Sequence, residues 1–245
     1  IARTRATQRK GREGTLRAAL VGYTNAGKSS VLRGLSGADV FVEDRLFATL
    51  DPTTRAVEVG EGSEVLLTDT VGFIRKLPHH LVASFRATLE EAGEADLLLH
   101  VIDASHSGWE QQKEVVEEVL VDLGLQGSPV VLVFNKVDRL PHSEEAGLRA
   151  RATTDGGRPA VFTSTVEEGG LDSLRELLLQ RVREARPDMV ITIPAAMGGL
   201  LAEIYREGEV LAREDKGAEI HLRARLSAAA VGRLRSHGAK LYGSR

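Results

Sequence analysis

The 245-residue sequence contains no cysteine. Disulfides and thiolate metal sites are therefore excluded, and the composition fits a reducing compartment. No apolar run approaches the roughly 18 residues needed to cross a bilayer. The opening residues, Ile1-Ala2-Arg3-Thr4-Arg5, lack the apolar stretch of a signal peptide. There is no initiator Met either, so the chain is expected to be a fragment of something longer. Internal repeats and low-complexity segments are also missing. What is present is the make-up of a globular protein, 42% hydrophobic and 27% charged. The length suffices for one large domain and a small one.

The net charge of −3 is unevenly spread. Residues 1–13 carry Arg3, Arg5, Arg9, Lys10 and Arg12 against Glu13 alone. Residues 221–245 carry Arg223, Arg225, Arg233, Arg235, Lys240 and Arg245 and no acid, which leaves the middle of the chain strongly acidic. Basic ends on an acidic body are compatible with RNA contact, but solvated tails and helix faces are the preferred reading of charge alone.

Short apolar runs at 16–21, 56–59, 65–68, 97–102, 130–134 and 160–163 read as strands. The runs at 97–102 and 130–134 are almost continuously apolar, as in strands buried on both faces of a parallel sheet. Helical stripes lie between them. Leu81, Phe85 and Leu89 form one. Val115, Val116, Val119, Leu120 and Leu123 form another, stopped by Gly124, and Leu171, Leu174, Leu177, Leu178 and Val182 form a third. The alternation predicts a doubly wound α/β domain with a mostly parallel six-stranded sheet. The two runs flanking Gly60 and Gly62 predict an antiparallel hairpin at one sheet edge. Pro187 ends the last helix. Beyond it a βαββα pattern predicts a small α+β unit, with Ser227 capping its final helix. The expected division is a basic tail at 1–13, a nucleotide-binding domain at 14–187 and the small unit at 188–245.

Gly22-Tyr23-Thr24-Asn25-Ala26-Gly27-Lys28-Ser29 matches G-x-x-x-x-G-K-[ST], follows a strand and opens a helix. Its glycines allow close approach to phosphate oxygens, and backbone N–H groups face the anion. Lys28 is expected on the β- and γ-phosphates and Ser29 on Mg²⁺. Asn25, Ala26, Gly27 and Ser30 complete the expected phosphate site. Asp69-Thr70-Val71-Gly72 ends the 65–68 strand. There Asp69 can hold Mg²⁺ through water, and the Gly72 N–H can sense a γ-phosphate. Asn135-Lys136-Val137-Asp138 ends the 130–134 strand. A carboxylate at Asp138 can accept from both N1–H and the exocyclic amine of guanine, a donor pair that adenine does not offer, which selects GTP over ATP. Ser164 and Thr165 are candidates for a backbone contact to the guanine O6. In Leu50-Asp51-Pro52-Thr53-Thr54-Arg55 a threonine can close over Mg²⁺, and Thr54 is chosen over Thr53.

In this order the motifs resemble the translation-factor-related P-loop GTPases. The stretch from Val21 to Ser29, the run from Ala38 to Arg55 and the run from Thr68 to Pro78 look like the HflX family in particular. The match is clear from about residue 13 to 140 and fainter beyond. Ser30, where the family often has threonine, and Thr165, where alanine is usual, are departures. HflX-like proteins carry an N-terminal domain ahead of this one, and residues 1–13 look like its connecting tail. The resemblance implies a cytoplasmic monomer that contacts the rRNA and proteins of the large ribosomal subunit and splits or recycles ribosomes. No DNA partner and no membrane span are expected. An assembly role is the alternative.

Phe73 occupies the position where many small GTPases place a water-orienting glutamine. Hydrolysis is therefore expected to be slow. Two sources of help are considered: a K⁺ beside the phosphates, for which Asn25 is the candidate by resemblance, and ordering of the segments 47–55 and 73–80 by the ribosome. Lys28, Thr54, Gly72 and Asn25 are the expected catalytic set. His79 and His80 read as an exposed helix turn, Arg55, Arg75 and Lys76 as solvated charges, Asp103 as a cap, and Trp109 as packing or surface.

Overall fold

The computed structural model describes residues 15–37, 52–73, 92–152 and 157–243. The expected helix through Leu81, Phe85 and Leu89 lies outside them, as do residues 1–13, Arg75, Lys76, His79 and His80. The chain divides into two compact units, Leu16–Leu179 and a second that takes in Gln180–Arg245.

The first unit alternates strands and helices: β1 (Leu16–Gly22), α1 (Lys28–Ser36), β2 (Thr53–Gly60), β3 (Ser63–Asp69), β4 (Leu97–Asp103), α2 (Trp109–Asp122), β5 (Val130–Asn135), α3 (His142–Ala152) and β6 (Ala160–Thr163). The sheet runs β2-β3-β1-β4-β5-β6. Every pairing is parallel except β2 with β3. The strands β4 and β5 are buried along nearly their whole length, because helices cover both faces there. The edge strand β2 alternates instead, with Val57 and Val59 turned inward. It turns into β3 through Gly60, Glu61 and Gly62, all at positive φ, which two glycines make inexpensive.

Because the strands are parallel, their C-terminal ends gather on one rim, where loops from different strands meet. β1 leads there into Gly22–Gly27, β3 into Thr70–Phe73, β4 into Ala104, β5 into Lys136 and β6 into Ser164.

α3 was not expected from the sequence. Its eleven residues bury only Leu148 and Ala152, so no apolar stripe announces it. The Pro141 carbonyl starts it, accepting from the N–H groups of Glu144 and Glu145. Trp109 packs: its ring meets Phe134 edge-on at 5.4 Å, and Phe134 stacks on Phe162 at 5.3 Å.

The helix α4 (Asp172–Ala185) spans the division between units. After it come β7 (Asp188–Pro194), α5 (Gly198–Glu207), β8 (Gly208–Lys216), β9 (Glu219–Leu226), α6 (Ala228–Ser236) and β10 (Lys240–Gly243). The antiparallel sheet is ordered β10-β7-β9-β8. Met189, Ile191, Ile193, Leu222, Ala224 and Leu226 bury one face against Leu200, Ile204, Ala230 and Leu234. Ser227 does cap α6, accepting from the Ala230 N–H at 3.1 Å. The pattern is βαββαβ, with one strand more than expected. β10 is four residues long and none is fully buried, which left no periodic signal.

Four of the six basic groups in the last stretch of the sequence pair with acids of neighbouring elements. Arg223 forks onto Asp188, Arg225 meets Glu209, Arg233 meets Glu203 and Glu207, and Lys240 lies 4.0 Å from Glu219.

Candidate functional site

β1 delivers the chain to Gly22, where the backbone runs against β4. A Cβ there would lie 2.2 Å from the Val101 carbonyl oxygen. The loop then climbs through Asn25 at φ 60° and Gly27 at φ 99° before α1 begins at Lys28. At Gly27 a Cβ would sit 2.3 Å from the Asn135 Nδ2, and at Gly72 it would sit 2.7 Å from the Thr24 Cα. Three backbones are thus drawn closer than side chains permit, around a hollow lined by N–H groups at a helix N-terminus.

Lys28 lies in that hollow. Its Nζ donates to the Gly22 and Tyr23 carbonyls at 3.2 and 3.1 Å. Burial pulls its pKa down to about 8, against the opposing pull of Asp69. A desolvated ammonium held only by carbonyls is suited to an anionic ligand. Next to it the Ser29 hydroxyl donates to the Asp69 Oδ2 at 2.5 Å. A hydroxyl and a carboxylate are hard oxygen donors of the kind Mg²⁺ takes alongside phosphate oxygens. The residues present therefore fit both a nucleotide phosphate chain and its magnesium.

The loop after β3 is tied to the phosphate loop. Thr24 N–H donates to the Phe73 carbonyl at 2.8 Å, and Phe73 N–H donates to the Gly22 carbonyl at 3.0 Å. The Phe73 side chain is fully buried in the core with Val21, Val71 and Leu98. Thr70 anchors the start of this loop through a 2.6 Å bond to the Leu20 carbonyl.

From β5, Asn135 reaches the same loop. Its Nδ2 donates to the Ala26 carbonyl at 3.0 Å, and its Oδ1 accepts from Thr163 Oγ1 at 3.2 Å. Sequence reasoning missed Thr163, because its role depends on a partner 28 positions away. Lys136, at φ 63°, donates to the Asn25 carbonyl at 2.8 Å and pairs with Asp103 at 2.7 Å. Asp138 is half-buried and lines a cavity of about 340 Å³ with Ser164, Phe162, Glu145 and Arg149. The Ser164 Oγ accepts from the Val166 and Glu167 N–H groups and so shapes the loop that begins with Thr165.

Of the residues singled out from sequence, Asn25, Ala26, Gly27, Lys28, Ser29, Asp69, Gly72, Asn135 and Lys136 converge through direct contacts. Ser30 follows within α1, half-buried. Asp138, Ser164 and Thr165 stand at the neighbouring strand ends. Thr54 is set apart. It lies exposed on β2 opposite Thr68, with the two hydroxyls 2.8 Å apart, whereas Thr53 is the residue in register with Asp69. The structure does not bring Thr54 to the Ser29–Asp69 pair. Asp103 caps its turn as expected, accepting from the Ser105 N–H and hydroxyl, but it also holds Lys136.

A family model described as 50S ribosome-binding GTPase matches residues 17–136. A GTPase HflX of Gluconacetobacter diazotrophicus is 44% identical over 228 residues, covering 93% of this chain and 50% of that protein. One from Magnetococcus marinus is 43% identical over 236 residues, covering 96% and 54%. Among solved structures, a GTP-binding protein from the hyperthermophilic archaeon Sulfolobus solfataricus in complex with GDP aligns with a TM-score of 0.57 and 27% identity. That alignment covers 69% of this chain and 53% of that one. Sheet order, phosphate loop and base loop together define a P-loop GTPase fold. Within that class the chain belongs to the HflX family. It spans about half the length of the curated relatives it matches.

Proposed function

We propose that the chain binds GTP and GDP with Mg²⁺, hydrolyses GTP slowly, and couples nucleotide state to the large ribosomal subunit in the cytoplasm. The observation that carries the reading is the clamp between loops. Asn135, three residues before the base-reading carboxylate of Asp138, donates its Nδ2 to the Ala26 carbonyl of the phosphate loop. Base choice and phosphate grip are thereby one rigid unit. Asp138 would accept from guanine, and Thr165 offers a backbone N–H nearby. Lys28 and the N–H groups of 25–29 would take the phosphates. Ser29 and Asp69 would hold Mg²⁺, which neutralises charge on the β- and γ-oxygens. Thr54 would join them only after leaving Thr68.

Phe73 supports the slow step. Its side chain is locked in the core and offers nothing to orient water. Stimulation would come from K⁺ near Asn25 or from ribosomal ordering of the segments around residues 47–55 and 73–80. A nucleotide-gated binding or assembly module, with incidental hydrolysis, is favoured by the same observation. Splitting of ribosomes by the longer protein is the family's implication. The boundary of the nucleotide domain is proposed at 14–187, with 188–245 as a separate small unit and monomer as the working state. The test is GTP turnover by this chain with and without large subunits, each in K⁺ and in Na⁺. Faster turnover in either arm supports an enzyme with an external clock. Equal rates in all four would remove both sources of stimulation.

A further inference from the structure

Three elements meet at Lys136. Its Nζ lies 2.7 Å from the Asp103 Oδ2 at the end of β4 and 2.8 Å from the Asn25 carbonyl of the phosphate loop. Both charged side chains are 15% exposed, so the pair is partly shielded from water and its geometry is held. Asp103 is itself fixed. Its other oxygen takes the Ser105 N–H and hydroxyl at 3.1 and 2.6 Å, and β4–β5 register sets it level with Asn135.

The consequence lies in the peptide that Lys136 grips. In a trans peptide the carbonyl and the next N–H point in opposite directions. With the Asn25 carbonyl drawn to Lys136, the Ala26 N–H must face the loop interior, where it meets the Tyr23 carbonyl that also receives Lys28. Asn135 does the same to the following peptide by taking the Ala26 carbonyl, which turns the Gly27 N–H inward. The Ala26 N–H thereby closes the loop on Tyr23, while the Gly27 N–H is turned to the side where an anion would sit. Asn25 at φ 60° is the residue whose backbone makes this possible and the one that most needs a hold.

We propose that Asp103 is a positioning residue for the phosphate-binding loop: by fixing the Lys136 ammonium against the Asn25 carbonyl, it keeps the Asn25–Ala26 peptide, and with it the loop, in the conformation that receives the nucleotide phosphates. The proposal rests on the nucleotide-binding reading above. Asp103 touches no nucleotide and acts only through Lys136.

Asp103→Asn keeps an oxygen for the Ser105 cap and removes the charge that holds Lys136. The experiment measures dissociation of a fluorescent N-methylanthraniloyl GDP from the 245-residue chain, for wild type, Asp103→Asn, Lys136→Gln and the double variant, with the thermal midpoint of each nucleotide-free protein. The expected result is about tenfold faster dissociation from Asp103→Asn, with its midpoint close to wild type. Adding Asp103→Asn to Lys136→Gln should accelerate dissociation no further. Ser105→Ala, which weakens only the cap, should release the probe at the wild-type rate. Unchanged dissociation from Asp103→Asn overturns the proposal. So does an equal acceleration in the Lys136→Gln background, because Asp103 would then act by another route. Wild type failing to retain the probe brings down the nucleotide reading itself.

Discussion

Lys28 is buried with its ammonium on two backbone carbonyls, and that burial has a measurable consequence. Its pKa falls to about 8 from an ordinary 10.5, so near pH 8 a large fraction of the nucleotide-free protein carries a neutral amine there. Phosphate oxygens favour the charged form. Binding of GDP at pH 8 is therefore expected to take up about half a proton, and binding at pH 6.5 almost none. Calorimetry in two buffers of different ionisation enthalpy reads this uptake directly. Equal enthalpies at pH 8 would mean that Lys28 is already charged. For the free protein the sign runs the other way. Between pH 8 and 10.5 the unfolded chain holds a proton that the native chain does not, so Lys28 lowers stability least at high pH. A second prediction at this scale concerns the base. Asp138→Asn replaces an acceptor by a mixed group that cannot receive both guanine donors, and GDP affinity should fall at least about a hundredfold. Competition titration checks it, and wild-type affinity would exclude Asp138 from the base site. The motif residues were legible because phosphate and base binding need particular side chains and backbone freedom at short, fixed spacing. Thr163 and Asp103 were not legible as site residues, since each acts on a residue of another strand.

At the scale of elements, β4 carries an unusual cost. His100 is fully buried at its centre, flanked in register by Val21 of β1 and Leu132 of β5. Its Nδ1 has no hydrogen-bond partner among the described residues. Burial first, then the nearby charges of Lys113, Arg158 and Lys28, pulls its pKa down to about 3 from 6.5. Above pH 6.5 the ring is neutral in both states. Below it the unfolded chain takes a proton that the native strand refuses, so stability falls as pH drops from 6.5 toward 3, by about 1.4 kcal/mol per unit at most. Urea midpoints at pH 7.5 and 5 should show the loss, and His100→Leu should reduce it. An identical pH dependence in that variant would clear His100 of the effect. The strands themselves were readable from sequence because burial on both faces leaves continuous apolar runs. The helix α3 and the strand β10 were not, because each buries too little apolar surface to imprint a period.

At the scale of the whole molecule, the charge of a sequence segment says little about its surface until its partners are placed. Residues 221–245 carry six basic groups and no acid, and acids from β7, α5, β8 and β9 itself meet four of the six. Ion pairs of this exposed kind contribute little to stability, and they offset only part of the positive charge of the segment. The central claim is a guanine-specific nucleotide site at the rim of the parallel sheet, where Asn135 joins the base loop to the phosphate loop. Displacement of a bound fluorescent GDP by unlabelled GDP and by ADP, with Mg²⁺ present, tests that claim most directly. GDP is expected to displace the probe at least about a hundredfold more effectively than ADP. Equal displacement by ADP, or no binding of the probe at all, would contradict it.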